Sequence, residues 1–404
     1  MSGADRATPA PPDGARRGTV ALMAAATGAV IANLYYAQPL EDTLAREMGV
    51  PTGAVGVVLT LFQVAYAVGL ATLVPLGDLV ERRRLLGVLL AVDVAGLVGL
   101  AVAPGLAVLE VGAVIVGLTT VVAQILVPFA AHVAAPHEQG RVVSTVMSGL
   151  LIGVLLSRTV SGLLAQVAGW RAVFALGAAA TALVGLLLIR SLPRVAPTTT
   201  LAYPRLLASV VALVREEPVL RLRMIYGALQ FASFSVFWSS AGFLLANPPY
   251  SWSNAAIGAF ALVGVAGAVA ARVAGRLADA GHARRATLGF LLLMAVSYLP
   301  MRVGGHQIAA LVTGVVVMDF GAQGTHISNQ SMIYRLRPDA RSRLNTAYMT
   351  GYFVAGALGS GLSAVLVYPR FGWIGTCVLG AAFPALGVVI WCVDRMRGSV
   401  ERDG

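Results

Sequence analysis

The chain has 404 residues, of which 58% are hydrophobic and 12% are charged, and its mean hydropathy is +0.81. A soluble globular protein carries about a quarter charged residues, so this composition excludes a soluble domain and predicts a chain that lies largely in lipid. The formal net charge of +11 does not indicate nucleic-acid binding, because the basic residues, all arginine, lie in short segments between apolar runs.

Twelve apolar segments are long enough to cross a bilayer as helices, which takes about 20 residues each. Backbone groups in hydrocarbon must be hydrogen-bonded within their own segment, so the segments must be helical. In chain order, the predicted spans 1 to 12 are 20–40, 54–77, 85–103, 106–133, 142–167, 170–190, 222–246, 255–277, 284–303, 306–335, 343–368 and 371–393.

The second half of the chain repeats features of the first half. Pro136 to Arg141 matches Pro338 to Arg343 at an offset of 202, and Gly169-Trp170 matches Gly372-Trp373 at 203, about half of the 404 residues. Duplicated bundles are typical of transporters. We therefore expect an all-α membrane protein whose twelve transmembrane helices form two pseudo-symmetric six-helix bundles. The predicted parts are a tail (1–19), an N-terminal bundle (20–190), a linker (191–221), a C-terminal bundle (222–393) and a second tail (394–404).

The arginines predict the orientation of these helices. The tails and the loops after even-numbered spans hold 23 arginines, against 4 in the loops after odd-numbered spans. Positive loops stay in the cytoplasm, so both termini are expected there. The tail 1–19 is predicted to be disordered, and a cleaved signal peptide is the weaker alternative because the repeat needs span 1. In the linker, Tyr203 to Glu217 carries an apolar stripe and predicts a helix on the membrane surface.

Two motifs of acids and arginines follow spans 2 and 8. They consist of Gly77, Asp78, Glu81, Arg83 and Arg84 in the first copy and of Gly275, Asp279, Arg284 and Arg285 in the second. An acid there would favour the positive end of a neighbouring helix dipole. Contacts between the two copies would hold one face of the protein shut. The alternative is that these arginines only set the topology.

The duplicated halves, the long central loop and these motifs resemble the major facilitator superfamily. Ala32 to Leu40 in span 1, Asp319 to Gln323 in span 10 and the pair Asn329-Gln330 are similar to bacterial exporters of drugs, sugars and purine nucleosides. That resemblance implies a secondary transporter that exports a small organic solute in exchange for protons. An uptake symporter or uniporter remains an alternative. An enzyme or receptor is a distant one, because the five histidines are scattered and no metal or ATP-binding spacing is present.

Charged residues inside predicted spans are expensive and are candidates for function. Arg158 and Asp319 lie deep in spans 5 and 10, and Asp93 and Glu110 lie in spans 3 and 4. All four are candidates for proton coupling. A permanent structural ion pair is the other interpretation, and it is stronger for Asp93 and Glu110.

Polar and aromatic residues of the central spans predict a cavity for a ring-containing amphipathic solute. The candidates are Asn33, Tyr36, Gln38, Gln124, Gln230, Phe234, Trp238, Gln323 and Asn329. Some of the aromatic residues could instead belong to the interfacial belt. We expect a monomer in the plasma membrane that binds a small molecule, protons and lipid, with no cofactor, metal or nucleic acid.

Overall fold

The computed structural model describes residues 17–135, 138–193, 195, 202–337 and 340–398. The predicted tail before residue 17, part of the linker and the end of the second tail lie outside these ranges. The helices are α1 Arg17–Ala32, α2 Glu41–Met48, α3 Thr52–Leu79, α4 Arg82–Ala101, α5 Leu106–Thr119, α6 Val122–Val133, α7 Gln139–Ala168, α8 Trp170–Ser191, α9 Tyr203–Glu216, α10 Pro218–Ala246, α11 Asn254–Phe260, α12 Ala266–Asp279, α13 Ala283–Val303, α14 Ile308–Leu336, α15 Arg341–Gly361 and α16 Tyr368–Met396.

Among the described residues, nine helical runs are long and apolar enough to cross a membrane. The last run, Arg341–Met396, contains the two predicted spans 11 and 12 and bends at Gly372, whose φ is 58°. Two shorter apolar helices, Gly18–Ala32 and Asn254–Gly264, fall in predicted spans 1 and 8. The chain therefore has the predicted all-α fold of twelve membrane helices in two bundles.

Three of the predicted spans are not continuous helices. Span 1 stops being α-helical at Ala32 and continues through turns into a 3₁₀ turn, Gln38–Leu40. Span 4 divides into α5 and α6 near Thr119 and Thr120, whose hydroxyls donate to backbone carbonyls of the preceding turn. Such side-chain bonds compete with the helical ladder. Span 8 divides into α11, a 3₁₀ turn and α12.

The helices pack as two groups. In the first, α1 contacts α7 and α8, and α4 contacts α5 and α8. In the second, α13 contacts α14 and α16, and α10 contacts α15 and α16. Small residues allow the closest approaches: a Cβ added to Gly149 would overlap the carbonyl of Ala24, and one added to Gly153 would overlap that of Gly28. Close backbone approach over small residues is a usual way for helices to pack in lipid.

The two bundles meet along a seam that runs from mid-depth to one face. The face that the seam reaches holds α2 and the loop 247–253, and we call it the opposite face because it lies opposite the chain termini. The terminus face holds the α3–α4 loop, α9 and the end of α16. At mid-depth, the rings of Tyr66 and Phe353 lie 4.4 Å apart between centroids. Nearer the opposite face, Thr43 and Asn254 share hydrogen bonds of 2.9 and 3.1 Å, and α7 packs against α11.

The linker helix α9 contacts both bundles at the terminus face. The Tyr203 hydroxyl donates to the carbonyl of Thr72 in α3 at 2.8 Å. At the other end of α9, Arg337 forms a 2.7 Å ion pair with Glu217 and a 3.1 Å pair with Glu216. The hydrogen bond and charge of Glu217 raise the pKa of Arg337. The helix thus lies across the two bundles and connects them.

We predict that Gly162→Leu prevents the bundles from closing at the opposite face. A Cβ at Gly162 would overlap the carbonyl of Asn254, so a larger side chain must push α7 away from α11. Cysteine accessibility from the opposite face, measured at positions along the seam, should rise. Gly99→Leu is the control, because nothing lies within 4 Å of a Cβ at Gly99. Equal labelling of the two variants would contradict the prediction.

Candidate functional site

Arg158 of α7 lies at the seam between the bundles and does not face lipid. It is only 5% exposed. Its Nε donates to Gln38 Oε1 at 2.7 Å, and its guanidinium lies 4.5 Å from the ring centroid of Trp238 and 4.8 Å from that of Tyr35. Its Nη2 donates to no acceptor among the described residues. Its Nη1 donates to the carbonyl of Val154 at 3.3 Å. The guanidinium is therefore held by aromatic faces, one amide and one carbonyl, with donor capacity left over.

Asp319 of α14 lies beside Trp238. It is 4% exposed, and its Oδ1 accepts no hydrogen bond in the described part of the chain. The carboxylate interacts electrostatically with Arg158 and with the indole N–H of Trp238, which does not reach full hydrogen-bond geometry. A Cβ on Gly264 would lie 2.6 Å from Asp319 Oδ2, so a larger residue at this position would displace the carboxylate. An acid and a base from different bundles thus interact with each other, and both interact with Trp238.

Aromatic rings line the seam beside this pair. Phe231 stacks on Tyr352 with centroids 3.9 Å apart and on Phe234 with centroids 5.8 Å apart. Gln230 lies beside this stack, 3.5 Å from the Tyr352 hydroxyl, and its Oε1 has no partner among the described residues. Flat rings next to unpaired amide and charged groups suit a solute with an apolar ring and polar substituents.

The cavity at the seam is small in this conformation. It is lined by residues of both bundles, among them Gln38, Gln63, Phe234, Trp238 and Phe353, and its volume is ≈10 Å³. That is room for about one water molecule. An organic solute needs several hundred Å³, so the cavity is too small to hold one in this conformation.

Asn33 and Asp93 lie together inside the first bundle and do not line this cavity. Both are fully buried. The Asn33 amide donates to Asp93 Oδ2 at 2.8 Å and to Thr181 at 3.0 Å, and the Thr119 hydroxyl lies 2.7 Å from Asp93 Oδ1. These bonds join α1, α4, α5 and α8. The geometry favours the structural interpretation of Asp93 and places Asn33 away from the predicted cavity.

Asn329 belongs to a similar network inside the second bundle. It accepts a hydrogen bond from Arg223 at 3.2 Å and donates to the Tyr348 hydroxyl at 3.4 Å. Arg223 also donates to Thr287 at 2.7 Å. The sequence count assigns Arg223 to a loop, which is wrong: it is fully buried in α10. The sequence could have indicated this burial, because Arg223 falls inside the predicted span 222–246.

The remaining cavity candidates are divided between the seam and the bundle interiors. Tyr36 is buried in the first bundle, where its carbonyl accepts a 2.6 Å bond from Ser161. Gln124 interacts with the Tyr66 hydroxyl and is partly exposed. Gln323 packs against Gly267 and is also partly exposed. Glu110 lies near the start of α5, partly exposed. Gln38, Phe234 and Trp238 are the candidates that the structure brings to the seam, and Gln230 lies next to them, bonded to Tyr352 of its own bundle.

The first acid–arginine motif makes contacts within its own bundle. The Glu81 carboxylate caps α4, accepting from the backbone N–H groups of Arg83 and Arg84 at 3.1 Å each. The side chain that binds the rest of the motif is Arg82, absent from the sequence prediction: it pairs with Asp78 at 3.0 Å and donates to the Gly77 carbonyl at 2.9 Å. The Arg83 guanidinium reaches the carbonyl of Leu192 at 3.4 Å.

The second copy of the motif also makes its described contacts within its own bundle. Arg284 pairs with Asp394 of α16 at 3.1 Å and lies over the Trp391 ring. Arg285 is exposed, and a Cβ on Gly275 would meet nothing within 4 Å. The side chain of Asp279, at the end of α12, lies outside the described part of the structure. In this conformation, the described contacts of both motifs connect helices of one bundle.

Comparison with known proteins is consistent with this architecture. The sequence profile of the Major Facilitator Superfamily matches residues 20–279 and 227–403. Transporter YgaY of Escherichia coli O157:H7 is 46% identical over 372 residues, covering 92% of this chain and 94% of that protein. SCO4007 of Streptomyces coelicolor, also named as a transporter, is 34% identical over 388 residues, 96% of this chain and 89% of its own.

Solved structures show the same fold at low sequence identity. A crystal structure of the nucleoside transporter NupG superposes with a TM-score of 0.72 at 11% identity, covering 93% of this chain and 99% of that one. A D-xylose-proton symporter gives a TM-score of 0.72 at 16% identity, covering 92% and 95%. The protein is thus a multi-pass membrane transporter and not an enzyme. The chain belongs to the Major Facilitator Superfamily, whose members bind small-molecule substrates, often with coupled ions.

We predict that Asn33→Ala destabilises the first bundle by about 1–3 kcal/mol, because it removes the amide that donates to Oδ2 of the buried Asp93 and to Thr181. Thermal unfolding in detergent should register the loss. Thr313→Ala is a matched control, since that exposed hydroxyl bonds only the carbonyl of Ala309 in its own helix. If the Asn33 variant unfolds at the same temperature as the control, the network does not stabilise the bundle.

Proposed function

We propose that this transporter exports a small organic solute in exchange for protons by alternating access. The observation that supports this most strongly is the electrostatic interaction of Arg158 with Asp319, which come from different bundles and both interact with Trp238. Arg158 can hold either of two partners, the Asp319 carboxylate or a polar group of the solute. Protonation of Asp319 would free Arg158 for the solute, and loss of that proton would let the ion pair compete with the solute. Exchange then follows from competition for one guanidinium.

The solute class follows from the surroundings of that pair. Trp238, Phe234 and Phe231 supply flat apolar surfaces, while Gln38, Gln230 and Arg158 supply polar groups. A ring bearing hydroxyl, amide or anionic substituents, such as a drug, a sugar or a nucleoside, matches this combination. The fold neighbours include a nucleoside transporter and a sugar symporter, which is consistent with a solute of this kind.

The arginine bias supports a plasma-membrane protein with both termini in the cytoplasm. The terminus face would then be cytoplasmic, and the closed seam at the opposite face would make this conformation inward-facing. Partly exposed Gln124 and Gln323 would lie on the solute's path from the cytoplasm. In the alternate conformation, the acid–arginine motifs would come together and close the cytoplasmic side.

The decisive experiment is a solute screen in inverted vesicles with an imposed pH gradient. Accumulation inside such vesicles supports export, and efflux from preloaded ones supports uptake.

We predict that Asp319→Asn abolishes accumulation driven by the pH gradient while leaving the amount of folded protein unchanged. Asparagine keeps the shape of the side chain but cannot carry a proton. Solute exchange without a gradient should persist. Glu110→Gln is the comparison, because it removes a partly exposed carboxylate of α5 that lies away from Trp238. Full accumulation against a gradient by the Asp319 variant would show that this carboxylate does not carry the coupled proton.

We predict that Arg158→Ala weakens solute binding by about ten- to a hundredfold, the usual worth of a charge-assisted hydrogen bond. Equilibrium binding of a solute from the screen measures this directly. Arg158→Lys should recover part of the affinity, since it restores the charge but not the planar group over Trp238. Unchanged affinity in the alanine variant would exclude Arg158 from the binding site.

A further inference from the structure

Glu41 is a buried carboxyl group that the sequence interpretation did not single out. It is the first residue of α2, just after the first span, on the opposite face. The side chain is 0% exposed, and neither carboxylate oxygen has a hydrogen-bond partner among the described residues. An ionised carboxylate without donors is strongly unfavourable in such a place. The neutral acid is therefore the stable form in this conformation.

Glu41 lies in the seam between the bundles. A Cβ on Gly242 of α10 would be only 3.0 Å from Glu41 Oε2, so the absence of a side chain there makes room for the carboxyl group. The next two residues also reach the second bundle: Asp42 accepts from Asn247 at 3.5 Å, and Thr43 bonds Asn254. Separation of the bundles at this face would break these contacts and bring Glu41 into water.

The seam around Glu41 offers no basic partner in the part of the chain that the structure describes. Residues 52–77 of α3, 227–246 of α10 and all of α11 contain no charged residue. Tyr368 of α16 lies within electrostatic reach. On its own helix, the neighbouring Asp42 is paired with Arg46 at 2.9 Å. Burial raises the pKa of the Glu41 carboxyl well above its usual range.

Glu41 is also connected to the Arg158 site. The 3₁₀ turn Gln38–Leu40 directly precedes it, and the Gln38 side chain in this turn accepts the 2.7 Å hydrogen bond from Arg158. Any change that releases Arg158 from Gln38 frees one end of the turn that positions Glu41. The solute site and the seam at the opposite face therefore share one short segment of backbone.

We propose that Glu41 is the proton-binding residue of the gate at the opposite face, neutral while the gate is closed and ionised when the gate opens to water. This inference rests on the alternating access proposed above and adds a protonation site distinct from Asp319. In an exporter, a proton from the acidic outer side would close the gate after the solute has left. The gate would stay shut as long as Glu41 keeps that proton.

The ratio of the open to the closed gate should rise with pH. Below about pH 4.3, the usual pKa of a glutamate, both open and closed forms hold the proton and their ratio does not depend on pH. Above this value the open form releases its proton while the closed form keeps it. Each further pH unit then favours the open gate about tenfold, until the closed form also titrates.

The experiment measures the gate directly, without solute. Spin labels are attached at Val167 and Phe371, which are exposed near the opposite face on different bundles. Cys377 and Cys392 are first replaced by alanine. The distance distribution in lipid nanodiscs is recorded from about pH 4.5 to 8.5. In the unmodified chain, the long-distance population should rise with pH. Glu41→Gln should keep the short distance at every pH, and Glu41→Asp should restore the response.

Two further variants separate this inference from the proposed function. Asp42→Asn removes the adjacent, paired carboxylate and should leave the pH response intact. Asp319→Asn should also retain it, because the gate proton is on Glu41. A distribution that does not respond to pH in the unmodified chain overturns the inference, as does a Glu41→Gln protein that titrates like the unmodified one. A response lost only with Asp319 assigns the proton to the solute site instead.

Discussion

The low polarity of the bilayer is the constraint on which the rest of this structure depends. A guanidinium cannot face acyl chains at mid-depth without a large cost in free energy, so Arg158 must find partners inside the protein. It finds them on both sides of the seam: Tyr35 and Gln38 in its own bundle, and Trp238 in the other. The same constraint keeps Asp319 inside the protein, where its carboxylate interacts with Arg158 and Trp238. This pair of charged residues thereby lies where the two bundles meet.

The polar residues inside each bundle serve a different purpose from those at the seam. Asp93 is surrounded by an amide and hydroxyls from three other helices, and Arg223 is bound to Thr287 and Asn329. These hydrogen-bonded networks are costly to break, so they hold each bundle together as a unit. At the seam, Arg158 Nη2, Asp319 Oδ1 and the Glu41 oxygens have no hydrogen-bond partners among the described residues. Unsatisfied groups between two rigid bodies are the ones that a solute, a proton or a rearrangement can satisfy.

Glycines allow the two bundles to approach each other closely at the seam. Where α7 meets α11, and where the 3₁₀ turn Gln38–Leu40 meets α10, glycines let the bundles approach to backbone contact. The interactions that hold this seam together are short-range, so on the proposed alternating access they would break together when the seam opens. The proposed gate proton on Glu41 and the proposed exchange at Arg158 would each bias that equilibrium through a ligand that prefers one state.

Hydropathy and residue order alone determined the membrane environment, the twelve spans, the duplication and the superfamily, because a helix must supply about 20 apolar residues to cross lipid whatever surrounds it. Residue type also identified Arg158 and Asp319 as candidates, since charge in lipid is rare. Trp238 was a candidate because it is an aromatic residue of a central span. Tertiary structure decided which polar residues face each other. Asn33 and Asn329 have the same amide chemistry as Gln38, yet the first two are buried inside bundles and Gln38 lies at the seam. The direction of a side chain on a membrane helix depends on its neighbours in space. For that reason the breaks in spans 1, 4 and 8, the burial of Arg223 and the position of Glu41 could not be predicted from the order of residues.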